Sequence, residues 1–243
     1  MSGYAIIDGS GFEATDTAPG AATPTPWGAP SAEPRPRRFG EREFLWLPRH
    51  GDGHTIPPHA INYRANLYAL RQAGATAVIG INTVGIISDC VLPGQVLLPD
   101  QLIDYTWGRE QTYFDGSDGR VRHIEFDPPF STRLRAALLD AAHRVGVACA
   151  DGGVYAVAQG PRLETAAEID RFERDGADVV GMTAMPEAVL AAELELDYAS
   201  LCLAVNPAAG RGGGSIHADV ARYQTAAREQ ALTVLTALPG ATP

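Results

Sequence analysis

Lysine is absent from this 243-residue chain, and all 19 basic residues are arginine. That excludes chemistry built on a lysine amine, both the Schiff base and the phosphate loop that needs a Gly-Lys pair. Cysteine is scarce: Cys90, Cys149 and Cys202 stand singly, without disulfide or metal-ligand spacing, and read as buried structural thiols in a reducing compartment. No basic run offsets the net charge of -10, so neither nucleic acid nor an anionic membrane surface is expected as a partner. No apolar run reaches the ~18 residues of a membrane span, and the N-terminal residues do not pattern as a leader. A cytoplasmic protein is the expectation. The third glycine of a dinucleotide-binding turn is also missing after the first apolar stretch, where Asp8-Gly9-Ser10-Gly11 stands instead.

What is present is 45% hydrophobic residues over a length ordinary for one α/β domain, so residues 1–243 read as a single domain. Short apolar strands alternate with amphipathic helices, which predicts a mixed, twisted, partly closed β-sheet flanked by helices. The chain centres on residues 176–210. A buried strand over 177–180 breaks at Gly181-Met182-Thr183, and a helix opens near Pro186-Glu187. A second apolar strand over 198–205 stops at Asn206-Pro207. Ligands of open α/β sheets sit at the carboxyl ends of strands, where backbone N–H groups and helix N-termini point outward. Both breaks lie at such ends.

Other strand ends carry anion chemistry. Residues 4–7 form a strand running into Gly9 and the hydroxyl of Ser10, which suits an anion or simply a tight turn. A strand over 43–47 ends in Pro48-Arg49-His50-Gly51, a planar fork beside a second donor, although a surface Arg-His pair reads the same way. A strand over 76–81 ends at Asn82-Thr83, as anion donors or as turn formers. His50, His54 and His59 lack metal-site spacing, and Pro57-Pro58 breaks any helix before the third. Residues 15–38 read as a long loop rich in Ala, Pro, Thr and Gly. Helices are expected over 58–73, 131–145 and 218–235, a strand over 152–159, and a capping box at Thr165 and Glu168.

The run Gly181-Met182-Thr183, Pro186-Glu187, Leu190-Ala191, followed by a strand and Asn206, resembles the trimeric purine nucleoside and methylthioadenosine phosphorylases. Leu47-Pro48-Arg49-His50-Gly51, the Pro93-Gly94 to Ile103-Asp104 run, residues 109–123 and Gly160-Pro161-Arg162-Leu163-Glu164-Thr165 are similar in the same order. Together the matches reach from Ile6 to Asp219. Two residues depart from the family pattern: Asp8 replaces a glycine, and Leu163 replaces an aromatic residue at the base.

The resemblance implies reversible phosphorolysis of a purine nucleoside by a homotrimer, with inorganic phosphate as co-substrate and neither cofactor nor metal. It puts Ser10, Arg49, His50, Asn82, Thr83 and Thr183 on phosphate, and Met182 against the ribose. Leu163 and Glu164 fall beside the nucleoside, and His123 crosses to close the neighbouring subunit's site. Asn206 and His50 are the implied catalytic residues. An amide at Asn206 with Ala208, in place of two carboxylates, is similar to the 5′-methylthioinosine branch and suits a 6-oxopurine. The 5′-methylthioadenosine and inosine or guanosine phosphorylases are the alternatives, followed by a hydrolytic nucleosidase or a silent purine-binding protein.

Overall fold

The computed structural model describes residues 3–9, 22–117, 119 and 121–240. Among them, ten strands form one mixed sheet with helices on both faces. β1 (Tyr4–Asp8), β2 (Arg35–Phe39), β3 (Arg42–Pro48), β4 (Ala77–Ile86) and β10 (Asp197–Pro207) make one part, extended past β10 by β5 (Val96–Leu98) and β7 (Cys149–Asp151). β6 (Gln101–Asp104), β8 (Val154–Val157) and β9 (Val179–Gly181) join it through β4.

Helices α1 (Tyr63–Gln72) and α4 (Ala184–Glu193) cover one face, and α2 (Thr132–Arg144) and α5 (Ile216–Ala237) the other, with α3 (Ala166–Arg174) between β8 and β9. Alternation along the central strands divides the core. Ala77, Ile79 and Ile81 of β4 with Leu201 and Leu203 of β10 face α2 and α5, whereas Val78, Tyr198 and Cys202 face α1 and α4. On that second face the apolar series is interrupted by Asn82 and Ser200, both buried. No helix among the described residues is long and apolar enough to cross a membrane.

Several sequence expectations change. Residues 35–38, expected within a loop, belong to edge strand β2, which among the described residues pairs only with β3. Its pattern is arginine rather than apolar because Arg35 and Arg37 lay their guanidinium groups over the Trp46 ring, and an edge tolerates Pro36. The helix expected over 58–73 is divided: one 3₁₀ turn, Pro58–Ala60, precedes α1, which starts where the Asn62 side chain accepts from the Ala65 N–H. β4 continues five residues beyond Ile81, so Asn82 and Thr83 lie inside a strand and form no turn. Cys90 is exposed and Cys149 half-buried, and only Cys202 is the buried thiol expected. The capping box at Thr165 and Glu168 is present, and the helix over 131–145 has Ser131 and Val145 as its caps.

Candidate active site

β4 changes neighbours halfway along. Its first half pairs with β1 as far as Ile81, opposite Asp8, and its end pairs with β9 from Gly85, opposite Val180. Among the described residues, residues 82–84 therefore have a ladder partner only in β10. The ends of β1, β3 and β9 converge on this interval, a switch point of the kind where α/β sheets hold ligands. A cavity of about 540 Å³ opens there, lined by Gly9, Arg49, His50, Asn82, Thr83, Met182, Thr183, Leu163, Glu164, Asn206 and Ala208, among others.

One end is built for an anion. Arg49 is fully buried and forms a two-point pair with Glu187 of α4, Nε to Oε1 at 2.5 Å and Nη2 to Oε2 at 3.0 Å. Burial alone would lower the Arg49 pKa; the Glu187 carboxylate more than reverses this and keeps the guanidinium charged. The fork expected to meet phosphate is thus taken by Glu187. Nη1 donates to the Ile81 carbonyl oxygen at 2.9 Å and ends 2.9 Å from where a Gly9 side chain would begin, so its charge lies against the cavity wall.

Beside it, Ser200 donates to the Asn82 Oδ1 at 2.8 Å, and Asn82 Nδ2 donates to the Thr183 hydroxyl at 2.6 Å. The order fixes direction: Thr183 already accepts, so its own proton is free to be donated into the cavity. Thr183 also stands at the start of α4, and its hydroxyl makes no cap.

His50 takes the role opposite to the donor expected. Its Nδ1 lies 2.7 Å from the Ile56 carbonyl oxygen, so Nδ1 carries the proton. Burial, then the neighbouring Arg49 cation, pushes its pKa down to about 4. The ring is neutral near pH 7, and Nε2 presents a lone pair. His54 stacks on it with centroids 4.2 Å apart.

The other end is wider and partly apolar. A Cβ on Gly160, whose φ is +62°, would lie 2.5 Å from the Met182 sulfur; glycine there lets the 160–164 turn lie directly on Met182. Leu163 is exposed at the rim. Burial, with Glu168 nearby, holds the Glu164 carboxyl above the usual range. A bulge between Ala204 and Asn206 turns Asn206 over Gly85, where its Nδ2 donates to the Pro207 carbonyl oxygen at 2.6 Å. One amide hydrogen and Oδ1 remain. Ala208 is buried beside it, and Ile216, His217 and Val220 of α5 complete the wall.

Ten of the twelve sequence-derived site residues line this cavity. Ser10 lies outside the described residues. His123 is exposed and away from its own chain's cavity. Sequence reasoning missed Glu187, which reads as a first-turn helix carboxylate, and Ser200, which reads as a small residue in an apolar strand. Asp8 faces away from the anion end, accepting from the Trp46 indole at 3.3 Å, with Oδ1 buried and without a partner among the described residues. Burial raises its pKa to about 7 against the pull of Arg49, Trp46, Arg37 and Arg228. Among the described residues, no group of three or more His, Cys, Asp or Glu side chains is arranged to hold a metal ion.

Residues 4–238 match the model of the Phosphorylase superfamily. The chain is 50% identical over 214 residues to a probable S-methyl-5'-thioinosine phosphorylase of Pseudomonas syringae pv. tomato, covering 87% of each chain. It is 41% identical over 207 residues to the 6-oxopurine nucleoside phosphorylase of Pyrococcus furiosus, covering 82% of this chain and 78% of that one. The crystal structure of a methylthioadenosine phosphorylase from an antarctic soil metagenomic library superposes with a TM-score of 0.86 at 31% identity, covering 98% and 85%.

Proposed function

This chain belongs to the phosphorylase superfamily, and we propose that it catalyses reversible phosphorolysis of 5′-methylthioinosine to hypoxanthine and 5-methylthioribose 1-phosphate. One observation carries the reading: Asn206, Ala208 and Glu164 share a cavity with the anion donors Arg49, Asn82 and Thr183.

Cleavage of the glycosidic bond passes through an oxocarbenium-like state, leaving cation on the sugar and anion on the purine. Phosphate accepts a hydrogen bond from the Thr183 hydroxyl and lies in the field of Arg49, with Thr83 beside it and Ser10 added by the family resemblance alone. It gives a hydroxyl hydrogen bond to Nε2 of the neutral His50. The bound anion attacks C1′ and offsets the sugar's positive charge, while Met182 packs on the ribose. Asn206 hydrogen-bonds purine N7 through its remaining amide hydrogen as the base departs, and the purine anion then takes up a proton from solvent. A carboxyl oxygen of Glu164 accepts from N1–H, which a 6-oxopurine carries and adenine does not. Ala208 brings no carboxylate to receive a 6-amino group, and Leu163 covers the base without aromatic stacking.

At the 5′ end, Ile56, Ile216 and Val220 line an apolar wall suited to a methylthio group. The names of the Pseudomonas and Pyrococcus relatives support 6-oxopurine chemistry. In this reading the enzyme needs no cofactor and works in cytoplasmic purine salvage as a homotrimer. His123, exposed and outside its own cavity, serves the neighbour's.

The test is release of free base from 5′-methylthioinosine, 5′-methylthioadenosine, inosine and adenosine, each with and without phosphate. Phosphate-dependent cleavage led by 5′-methylthioinosine is expected. Cleavage without phosphate identifies a hydrolase, and a lead by 5′-methylthioadenosine or inosine overturns the base or 5′ assignment respectively. In the same assay Asn206→Asp raises the 6-amino to 6-oxo activity ratio by about tenfold or more, the ~1–3 kcal/mol of one changed polar contact. An unchanged ratio removes Asn206 from base selection.

A further inference from the structure

Arg109 lies beyond the cavity wall, in the segment after β6, half-buried. Its guanidinium adds a side-chain clamp across two stretches of backbone that leave the β8–β9 ladder just after its last rung, the Ala158 N–H to the Gly181 carbonyl oxygen at 2.7 Å. Nη1 donates to the carbonyl oxygens of Met182 at 2.8 Å and Met185 at 2.6 Å, and Nη2 to that of Gln159 at 2.8 Å. The first stretch leaves β9 and carries Met182 and Thr183. The second leaves β8 and leads into the turn that carries Leu163 and Glu164. Each runs directly into a proline, Pro186 or Pro161, which brings no N–H to continue a ladder. Tyr63 braces the group from behind: its hydroxyl accepts from Nη1 at 3.3 Å and donates to the Pro58 carbonyl oxygen at 2.8 Å.

We propose that Arg109 is a positioning residue that sets the width of the nucleoside slot, by holding the Leu163–Glu164 side and the Met182 side at a fixed separation. The inference rests on the phosphorolytic reading above and adds a residue that touches neither substrate. A planar fork is required, because it aims donors at both stretches at once; an ammonium is a point donor on a flexible stem. Misplacement of a reacting group by about 1 Å costs up to ~100-fold in rate, so a loosened clamp should be visible kinetically. Thr183 lies on the clamped stretch but is also tied to Asn82 at 2.6 Å, and Arg49, His50 and Asn82 belong to β4 or follow β3, so the effect should fall on the nucleoside far more than on phosphate.

Arg109→Lys and Arg109→Gln test this, read by steady-state kinetics in both substrates and by amide hydrogen exchange. Expected are a nucleoside KM raised about tenfold with phosphate KM within about twofold, and faster exchange confined to residues 159–165 and 182–186. Equal rises in both KM values overturn the proposal, as does exchange that quickens throughout β4 and β10. Exchange requires no turnover. A wild-type protein inactive on every nucleoside would therefore sink the phosphorolytic reading, whereas unchanged exchange in both stretches would sink the clamp in an active enzyme.

Discussion

The two ends of the cavity are made differently. At the anion end Arg49, Glu187, Asn82 and Ser200 are all buried to 2% exposure or less, and each is fixed by at least one side-chain hydrogen bond to another. At the nucleoside end Leu163 is 41% exposed, the Glu164 carboxyl hydrogen-bonds its own backbone, and position is set by main-chain turns clamped from outside. A small, invariant, strongly charged ligand rewards a rigid polar cage in low dielectric. A larger ligand that must enter and leave with its base and sugar needs walls that give. The difference teaches that loss of function at the two ends should look different: collapse at one, altered preference at the other.

The largest expected effect breaks the anion end. Glu187→Gln leaves a buried guanidinium without its counter-charge, which costs about 3–5 kcal/mol of stability. Denaturant unfolding should record that loss, and kcat/KM for phosphate should fall about 100-fold. A 6-oxo to 6-amino ratio that changed with it would erase the distinction between the ends. Ser200→Ala is narrower. It leaves Asn82 Oδ1 without its donor and frees the amide to turn, so Thr183 no longer presents a directed proton. Phosphate KM should rise about tenfold, equivalent to ~1.4 kcal/mol, with nucleoside KM unaltered; a matching rise in nucleoside KM counts against the directed chain.

The smallest effect marks where the anion end stops. Asp8 adjoins Gly9 but faces the other side of the sheet. It keeps its proton to about pH 7 in the fold, against an ordinary value of 3.8. The folded state thus binds more protons between those values, and stability falls as pH rises from about 4 to about 7. Asp8→Asn should raise the melting temperature by roughly 5 °C at pH 8, with the gain shrinking toward pH 4 and both KM values unchanged. A shifted phosphate KM would bring Asp8 into the anion end.

The same contrast governed legibility. Residues at strand ends were readable, because turn chemistry there is local: Arg49-His50, Gly181-Met182-Thr183 and Asn206 each announce a break in an apolar run. The resemblance extended the list to Leu163 and Glu164. Side chains acting across the fold were not readable. Glu187 meets Arg49 across 138 residues, and in sequence it is the acidic first-turn residue any helix favours. Ser200 and Asn82 interrupt apolar strands and look like weak strand or turn residues until their 118-residue partnership is seen. β2 was hidden because its covering groups are guanidinium faces on an indole, which carry no apolar period. The role of His50 depended on which nitrogen faces Ile56, a matter of ring orientation that no residue string contains.

The change of neighbours along β4 gives the sheet an edge in its interior. Edges elsewhere recruit another strand or must be guarded against one. Here the interval over residues 82–84 is too short for a strand and is flanked by donors, so a tetrahedral oxyanion can stand in as the missing rung of the ladder. Ligand and architecture are then one cooperative unit. Under the proposed function, phosphate at concentrations well above its dissociation constant would complete the sheet, and the folded state should gain stability in proportion to the logarithm of that excess.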